Sequence, residues 1–386
     1  MRDVKIMVVG VGGAGSRIVE RLADTLGGAV AVAAVNTDAA ALAESKVGTK
    51  VQIGASRTGG FGAGGDVNLG RLAAEDDKEL LRSLFSGRDL VLLVLGLGGG
   101  TGTGAAQVVL GTARDAGAMT MCFVTLPFDF EGAQRKMVAE GAISGLREVC
   151  DALIAVPNDR LMETVGEGTL SETFARTDQI VSAGIRGICK LITHPGYINL
   201  DFADLQRVIR NSGGICTFGY GDGAGQNRAE AALAALLNSP LLEKGARVAS
   251  AAALLVSVVG GSDLTVREIK GIMAAITAKA SKDCHVAMGT VVDEDWQDRI
   301  TITVVASDEW VVPEPAPPPA AEAEDVRDVP VAAGRAKRKT AAAPTQGDLE
   351  LDPTGKGRFK GTEPTMMDGE NLDIPTYLRR GIAIEK

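Results

Sequence analysis

The stretch 89–104, DLVLLVLGLGGGTGTG, constrains the fold of this chain more than any other. Its short apolar run Leu90–Leu95, bounded by glycine, is typical of a strand buried on both faces of a parallel sheet. Glycine lets the next residues turn sharply and approach a ligand, and the helix-permissive run Ala105–Ala113 follows. A helix there directs free N–H groups at the loop, and Thr101 and Thr103 add hydroxyl donors. The pattern predicts a phosphate-binding loop, with a glycine-rich βα turn that binds nothing as the alternative.

A second glycine-rich loop lies near the start of the chain. Val4–Val9 predicts a strand that leads into Gly10–Gly15, GVGGAG, and then into an amphipathic helix, Ser16–Leu26. Val30–Val35 predicts the next strand, and Asp38 follows it, about twenty residues after the glycines. This spacing fits the GxGxxG motif of NAD-dependent dehydrogenases, so an oxidoreductase is one interpretation of these residues.

Composition limits the class of protein. The 386 residues are enough for two folded domains, and the net charge of −9 argues against a nucleic-acid binder. The five cysteines are widely spaced and the two histidines lie apart from other metal-ligand residues, so we expect reduced thiols and no protein-bound metal. No apolar run reaches the roughly 18 residues of a membrane span or resembles a signal peptide. We therefore expect a soluble, cytoplasmic protein.

Alternation of strands and helices predicts an α/β fold with a doubly wound parallel sheet. Met119–Leu126 and Ala152–Val156 are further apolar strands, and Leu170–Ile192 has the apolar stripe of a long helix. The pattern then changes to a second, smaller α+β domain with its own core. Its candidate elements are strands Ile215–Gly219, Ala252–Val259 and Ile300–Ala306, with helices Ala229–Leu237 and Val266–Ala278.

Several polar residues have a structural explanation beside a functional one. Glu131 and Arg135 are four residues apart and could form an ion pair on one helix face. Asp201 and Asp204, near a predicted helix start, could cap that helix. Asn158 follows a strand, where it either contacts a ligand or caps the next helix. Spacing alone does not decide between these explanations.

Three motifs carry a resemblance to a known family. Gly98–Gly104, GGGTGTG, resembles the signature of the tubulin/FtsZ family of GTP-binding, polymerising proteins. NLDFAD at 199–204 and LDIPTYLRR at 372–380 resemble two later motifs of that family, in the same order. The resemblance covers roughly Lys5–Ser307 and the last sixteen residues. It implies a GTPase that uses Mg²⁺, assembles head-to-tail into filaments and forms the bacterial division ring.

The resemblance implies nucleotide contacts in several segments. Glu131 and Arg135 would hold ribose and phosphate, and Asn158 would contact guanine. Phe174 would stack on the base and Asp178 would read its edge. The implied contacts to GTP or GDP are Gly12, Gly13, Ala14, Gly15, Ser16, Arg17, Asp38, Ala63, Gly64, Gly65, Gly98, Gly99, Gly100, Thr101, Gly102, Thr103, Gly104, Glu131, Arg135, Asn158, Phe174 and Asp178.

The segment Thr58–Gly70, TGGFGAGGDVNLG, is too glycine-rich for a helix or strand and resembles the third phosphate loop of the family. Ala63–Gly65 would approach the terminal phosphate. Asp66 and Val67 stand where the family commonly has Asn-Pro, and the added carboxylate could weaken binding or slow hydrolysis. Arg17 stands where the first loop usually has Asn, and it could meet a phosphate or project outward.

The NLDFAD segment resembles the loop that carries the catalytic acids of the family. Asp201 and Asp204, with Asn199, would polarise the attacking water and help to place the cation. In that family the loop acts on the nucleotide of the next subunit. The resemblance thus implies that hydrolysis requires polymerisation, with Mg²⁺ held through the nucleotide phosphates rather than by protein ligands.

We predict five segments: a GTP-binding domain (1–168), a central connecting helix (169–195), a GTPase-activating and polymerisation domain (196–307), a disordered linker (308–370) and a C-terminal interaction peptide (371–386). The linker is rich in Pro, Ala, Glu, Lys and Thr, a composition that buries little. The terminal peptide resembles the one with which the bacterial branch docks membrane-anchoring and regulatory division proteins. This implies a place at the division site and only indirect contact with the membrane.

Two alternative functions stay open. An NAD-dependent oxidoreductase accounts for Gly10–Gly15 and Asp38 but leaves GGGTGTG, NLDFAD and the terminal peptide unexplained. A filament scaffold that binds GTP and barely hydrolyses it is compatible with the whole sequence, because hydrolysis depends on contacts between subunits.

Overall fold

The computed structural model describes residues 4–165, 168–194, 196–198, 200–210, 215–309, 366–367 and 370–371. The chain divides into two units, Met1–Ala316 and Pro317–Lys386. The strands of the first unit are β1 (Ile6–Val11), β2 (Val30–Asn36), β3 (Thr49–Gln52), β4 (Leu90–Gly96), β5 (Met119–Leu126), β6 (Ala152–Pro157), β7 (Ile215–Ala224), β8 (Ala253–Gly260), β9 (His285–Val292) and β10 (Arg299–Ser307). Its helices are α1 (Gly12–Ala23), α2 (Ala39–Glu44), α3 (Ala55–Thr58), α4 (Val67–Asp76), α5 (Lys78–Phe85), α6 (Gly100–Asp115), α7 (Ala133–Val149), α8 (Asn158–Val165), α9 (Leu170–Thr193), α10 (Phe202–Arg210), α11 (Arg228–Leu237), α12 (Ala246–Ser250) and α13 (Val266–Lys279).

The strands form one sheet in the order β3-β2-β1-β4-β5-β6-β7-β10-β8-β9. The first six strands pair in parallel in the order 3-2-1-4-5-6, which is that of a doubly wound nucleotide-binding fold. The order reverses between β1 and β4, whose register runs from Ile6 opposite Leu90 to Val11 opposite Leu95. The predicted fold class is confirmed, and the two glycine-rich loops follow neighbouring strands at this switch point.

The second half of the first unit extends the same sheet. β7 pairs with β6 in parallel, at Leu153 opposite Ile215 and Ile154 opposite Cys216. β10 is antiparallel to both β7 and β8, and β8 is parallel to β9. This mixed arrangement agrees with the predicted α+β character, but the sheet is continuous with that of the first half. Strands β3 and β9 were not predicted from the sequence, and the predicted domain boundaries stay a prediction.

Apolar residues cover both faces of the parallel strands. In β1, Ile6 and Val8 belong to the cluster that includes Ile18 of α1, whereas Met7 and Val9 belong to the cluster on the opposite face. Burial on both faces explains why these strands are continuous apolar runs rather than alternating ones. A third cluster joins α11 and α13 to β8 and β10. Each face of the sheet thus has its own packed core.

The two helices at the switch point begin earlier than predicted. The sequence predicts helix starts at Ser16 and Ala105, but α1 begins at Gly12 and α6 begins at Gly100. Glycine has low helix propensity, which favours a loop when only local sequence is considered. Long-range packing outweighs this local preference. The start of α6 lies so close to α4 that a Cβ at Gly104 would collide with the α4 backbone. The glycines of GGGTGTG therefore form the close contact between two helices as well as the turn.

The predicted loop Thr58–Gly70 is also shorter than expected, because α4 begins at Val67 and is followed by a second helix, α5. Asp66 caps α4, because its carboxylate accepts the backbone N–H groups of Asn68 at 2.8 Å and Leu69 at 3.1 Å. Asp66 thus fixes the start of α4.

The long helix α9 spans Leu170–Thr193, as predicted to within one residue at its end. It begins with a capping box in which Thr169 and Glu172 exchange hydrogen bonds. Near its other end Lys190 pairs with Asp293, and the Lys190 Nζ lies 3.9 Å from the centre of the Trp296 ring. The contacts of Lys190 tie this end of the helix to the segment between β9 and β10.

Four of the five cysteines are buried, and none of the five forms a disulfide among the described residues. Burial raises the pKa of the Cys150 thiol to about 12, so at neutral pH it is a protonated core residue rather than a nucleophile. No helix in the described part of the chain is both long enough and apolar enough to cross a bilayer.

In the second unit, β11 (Met366–Met367) pairs antiparallel with β12 (Glu370–Asn371). Of the predicted interaction peptide 371–386, only Asn371 is among the described residues. Most of the predicted linker also lies outside them.

Candidate functional site

A cavity of about 320 Å³ lies where the parallel strands β1, β4, β5 and β6 end. Ligands of doubly wound folds bind at this edge of the sheet, outside the carboxyl ends of the strands. The wall comes from the first turns of α1 and α6, the residues after β5, the start of α8 and the second and third turns of α9. The lining residues are Val11, Gly12, Gly13, Ala14, Arg17, Gly96, Leu97, Gly99, Gly100, Thr101, Gly102, Thr125, Pro127, Glu131, Arg135, Asn158, Phe174, Thr177 and Asp178.

Two helix N-termini face this cavity without a side-chain cap. Neither Val11, which precedes α1, nor Gly99, which precedes α6, makes a side-chain capping bond, and neither first turn contains an acidic residue. The first N–H groups of a helix otherwise need a cap, water or a ligand, and their dipole favours an anion. The pair of uncapped termini therefore forms an anion-binding wall.

The two glycine-rich motifs contact one another. Gly12 has a φ of +71°, and a Cβ there would lie 3.1 Å from the backbone nitrogen of Gly102. Gly98 has a φ of +92° and donates its N–H to the Thr103 hydroxyl at 2.9 Å. Thr103 is buried and holds the turn, so only Thr101 of the two predicted hydroxyl donors lines the cavity. Both motifs need glycine for this close approach.

Thirteen of the predicted nucleotide contacts line the cavity, and the others lie behind its wall or beside it. Those outside the lining set are Gly15, Ser16, Asp38, Ala63, Gly64, Gly65, Gly98, Thr103 and Gly104. Asp38 caps α2, since its carboxylate accepts the Ala41 N–H at 3.0 Å. Gly15 packs against the backbone of β4. A direct contact to nucleotide remains a prediction for all of these residues, those that line the cavity included.

The third glycine-rich loop packs on the start of α6. A Cβ added to Gly100 would lie 3.0 Å from the Ala63 Cβ and 2.8 Å from the Asp66 nitrogen. Gly64 and Gly65 have φ values of +55° and +84°, with open space around each. The loop thus adjoins the cavity, and the Asp66 carboxylate is occupied by the cap of α4.

Glu131 and Arg135 line the cavity and also form the ion pair that their spacing allows. The Arg135 Nη1 lies 2.5 Å from the Glu131 Oε2, and the other carboxylate oxygen accepts the Phe128 N–H at 3.0 Å. The Arg135 side chain remains more than half exposed. The ion pair expected from the spacing is therefore present, and the Arg135 guanidinium stays accessible from the cavity.

Two buried oxygen atoms in the cavity wall have no partner among the described residues. They are the Asn158 Oδ1 and the Thr177 Oγ1. A buried polar group without a hydrogen bond costs about 1–3 kcal/mol, so such groups are uncommon in folded proteins. Their place in the cavity points to a ligand that donates hydrogen bonds to them.

Thr177 was not predicted as a site residue. The sequence did contain a signal, because Thr177 lies three residues after Phe174 and so shares its helix face. Phe174 is half-buried, and the Phe128 ring meets it edge-on with centroids 5.1 Å apart. The cavity therefore combines an aromatic surface with polar groups from one face of α9.

Asp178 is buried in the same wall, and burial raises the pKa of its carboxyl against the opposing effect of Arg17. The Arg17 Nε lies 3.3 Å from the Asp178 Oδ2. The Arg17 Cζ also lies over the Phe174 ring, 5.6 Å from its centre. Arg17 thus contacts residues of α9. This is neither of the two positions that the sequence suggests, which are against a phosphate or projecting outward.

Asp201 and Asp204 do not line the cavity. The Asp201 carboxylate accepts the Asp204 N–H at 2.7 Å at the start of α10, so the capping explanation is confirmed. The Asp204 Oδ1 lies 3.9 Å from the Arg207 Nη1. Asn199 lies outside the described residues. Among the described residues, no group of three acidic, histidine or cysteine side chains is arranged to hold a metal ion.

Fold and cavity define a protein of the tubulin/FtsZ class, and comparison with known families agrees. Residues 5–166 match the family model for the Tubulin/FtsZ family, GTPase domain, and residues 214–309 match that for the FtsZ family, C-terminal domain. The cell division protein FtsZ of Buchnera aphidicola subsp. Schizaphis graminum is 37% identical over 383 residues, 97% of this chain and 96% of that protein. The chain belongs to the FtsZ family.

Solved structures show the same similarity. An empty FtsZ dimer from M. jannaschii superposes with a TM-score of 0.74 at 34% identity, over 79% of this chain and 88% of that one. CetZ2 from Haloferax volcanii has a TM-score of 0.64 at 23% identity, over 78% and 92%, which shows a shared fold. Family membership decides against the dehydrogenase interpretation, which the strand order alone does not exclude.

Proposed function

We propose that this protein binds GTP in the cavity, hydrolyses it when assembled head-to-tail into filaments, and builds the bacterial division ring. The observation that supports this most directly is the cavity itself. It places two uncapped helix N-termini in the same wall as an aromatic ring and buried hydrogen-bond acceptors. Those features suit the phosphates and the base of a nucleotide, respectively.

For the phosphates, the N–H groups at the starts of α1 and α6 supply fixed donors, and Thr101 adds a hydroxyl. The Thr101 hydroxyl lies 2.7 Å from that of Thr37 at the end of β2, which holds it beside the turn. Mg²⁺ bound to the phosphates would neutralise charge that develops as the terminal phosphoryl group is transferred. Protein groups that are fixed before the substrate arrives need little rearrangement during the reaction.

For the base, guanine offers N–H donors on its edge, and the wall offers acceptors. The Asp178 carboxylate and the free oxygen atoms of Asn158 and Thr177 would accept hydrogen bonds from a guanine stacked on Phe174. Satisfying buried acceptors gives strong preference for the ligand that carries the matching donors. This supports guanine rather than a base with acceptors at the same edge.

For hydrolysis, Asp201 and Asp204, with Asn199, would act on the nucleotide of the adjacent subunit. Neither acid lines the cavity of its own chain, and both are accessible at the surface around α10. The similar FtsZ from M. jannaschii occurs as a dimer, which supports self-association of this chain. A head-to-tail contact uses two different surfaces, so it can propagate into a filament.

The terminal peptide 371–386 would dock membrane-anchoring and regulatory division proteins. Its position at the end of a separate unit, Pro317–Lys386, is compatible with a tethered ligand. The protein would then gather at the division site and contact the membrane only through these partners.

The test is GTP hydrolysis per subunit against protein concentration, with Mg²⁺, for the wild type and for Asp204→Ala. Asp204 is the better choice of the two acids, because the Asp201 carboxylate also caps α10. We expect wild-type activity to appear above a threshold concentration. The variant should sediment as polymer and bind GTP, yet hydrolyse it on the order of 10²-fold more slowly.

Arg207→Ala is the matched control, since it removes the ion-pair partner of Asp204 and leaves the carboxylate in place. It should retain the threshold and most of the activity. Specific activity that does not vary with concentration would contradict the shared site. A wild type that polymerises with GTP but hydrolyses almost none would favour the filament scaffold.

A further inference from the structure

Arg17 lies in the part of the cavity that is assigned above to the guanine base, beside Phe174 and Asp178. It lies in the second turn of α1, whereas Phe174 and Asp178 lie on α9, and the two helices meet where the Ser182 hydroxyl contacts the Ile18 carbonyl oxygen at 3.3 Å. The guanidinium contacts the Asp178 carboxylate at 3.3 Å and lies over the Phe174 ring. All three side chains line the cavity.

The two partners of Arg17 are the two groups proposed to recognise the base. A stacked base needs an open face of Phe174, and this ring is already in contact with Arg17 and, in a T-shaped arrangement, with Phe128. A base edge also needs the Asp178 oxygens, one of which the Arg17 Nε now engages. A base and the Arg17 guanidinium therefore compete for the same ring and the same carboxylate.

The Arg17 side chain is free to leave. It is 52% exposed, whereas the Asp178 side chain is 5% exposed. An arginine side chain that is half exposed keeps access to other rotamers at little cost. Asp178 is held in the wall, so Arg17 is the partner that moves.

We propose that Arg17 is a latch on the base subsite, which closes on Asp178 and Phe174 in the empty protein and must release both when guanine enters. This inference rests on the proposed function, because it takes the cavity to be a guanine-nucleotide site. It makes residue 17 a determinant of base affinity. The latch protects a buried carboxylate with a counter-charge while the site is empty.

The test compares guanosine and GDP as ligands for the wild type and Arg17→Gln, with guanosine measured by displacement of labelled GDP. Guanosine isolates the base, because it has no phosphate. We expect Arg17→Gln to bind both ligands about three- to tenfold more tightly, since the competing contacts are lost. Arg21→Gln is the matched control, because exposed Arg21, one turn later on α1, acts on the Asp178 carboxyl only through its charge and not through a hydrogen bond. It should bind both ligands like the wild type.

The salt dependence of guanosine affinity gives a second measurement, whose first part uses the wild type alone. Salt weakens the half-exposed Arg17–Asp178 pair, so wild-type affinity for guanosine should rise about twofold between low and high salt. Arg21→Gln should show the same rise, whereas Arg17→Gln should not show it.

Equal guanosine affinity in the wild type and Arg17→Gln would overturn the latch and leave the GTPase proposal standing. Weaker GDP binding with unchanged guanosine binding would also overturn it, by showing that Arg17 holds a phosphate. A wild type that binds neither ligand would overturn both proposals.

Discussion

At the scale of single residues, the cavity wall contains buried polar atoms that have no partner among the described residues. The Thr177 hydroxyl is buried beside the Asp178 carboxyl and has no partner among the described residues. One turn earlier on the same helix, the buried Thr173 hydroxyl donates to the Thr169 carbonyl oxygen at 3.0 Å. The two threonines differ in whether the fold or a ligand completes their hydrogen bonds.

Substitution Thr177→Val keeps the side-chain shape and removes the unpaired hydroxyl. We expect the free energy of unfolding without nucleotide to rise by about 1 kcal/mol, because a buried polar group no longer lacks a partner. Affinity for GTP should fall by about fivefold for loss of one hydrogen bond. Chemical denaturation and nucleotide titration measure these two quantities.

Thr173→Val is the matched control and should behave in the opposite way. It removes a satisfied hydrogen bond, so it should lower the unfolding free energy by about 1 kcal/mol and leave GTP affinity unchanged. If Thr177→Val destabilised the protein without weakening GTP binding, Thr177 would be an ordinary core residue.

At the scale of elements, glycines set the distance between α4 and α6. A Cβ at Gly104 would collide with the Val67 carbonyl oxygen and lie 2.7 Å from the Arg71 nitrogen. A Cβ at Gly111, two turns later on α6, would meet nothing within 4 Å. The same residue type therefore has a packing role at one position of the helix and none at the other.

We expect Gly104→Ala to lower the unfolding free energy by about 1–3 kcal/mol, because the backbones of two helices must separate. Gly111→Ala should raise it by about 0.5–1 kcal/mol, since alanine is the better helix former in open space. Urea denaturation of both variants measures the difference. Similar values for the two would mean that α4 adjusts freely, contrary to the packing described.

An ion-pair network centred on the buried Arg228 links α11 to α13. The Arg228 Nε lies 2.7 Å from the Glu268 Oε1, and Arg228 also pairs with Asp263. The hydrogen bond from Arg228 holds the pKa of Glu268 at about 2, against the effect of burial and with help from the Thr265 N–H. Because this pKa is below the ordinary 4.5, the stabilisation is complete above pH 4.5 and is lost as pH falls towards 2.

Glu268→Gln should reduce this dependence of the unfolding free energy on pH. We expect a stability at neutral pH lower than that of the wild type by about 1–3 kcal/mol, and a smaller loss of stability between about pH 4.5 and 2. Denaturation series at several pH values give both numbers. Glu230→Gln, an exposed acid on α11, should follow the wild-type curve, and an identical curve for Glu268→Gln would contradict the network's role.

At the scale of the whole molecule, the first unit contains the sheet, its cores and the candidate site. Its last described residues are held by ion pairs from Arg247 to Asp308 at 2.7 Å and from Arg147 to Glu309 at 3.3 Å. The first unit ends at Ala316. It therefore has the contacts that a separately folding unit requires.

A chain that ends at Ala316 should unfold at the same temperature as the full chain and bind GTP with the same affinity. A chain that ends at Ala306 loses both ion pairs and the last residue of β10, so its Tm should fall by about 2–4 °C. Scanning calorimetry and nucleotide titration compare the three chains. A lower Tm for the chain ending at Ala316 would show that the second unit stabilises the first.

Local sequence was enough to predict the elements whose pattern is complete in one segment. The apolar runs that became β1, β4, β5 and β6 are buried on both faces, and the stripe of α9 matches its helix almost residue for residue. The same applies to motifs whose consecutive residues line the cavity, such as Gly99–Gly102. Periodicity and glycine content are properties of neighbouring residues, so they can be recognised without the fold.

Only the tertiary structure decided features that depend on residues far apart in the chain. α6 begins at Gly100 because α4 packs against its glycines, although glycine disfavours helix locally. Arg17 meets Asp178 across 161 positions of sequence, and Thr177 lacks a partner only because of what surrounds it. The sequence by itself determined the family, the parallel strands at the centre of the sheet and the glycine-rich turns that follow them. Which polar groups are paired, and which have no partner among the described residues, depends on three-dimensional proximity.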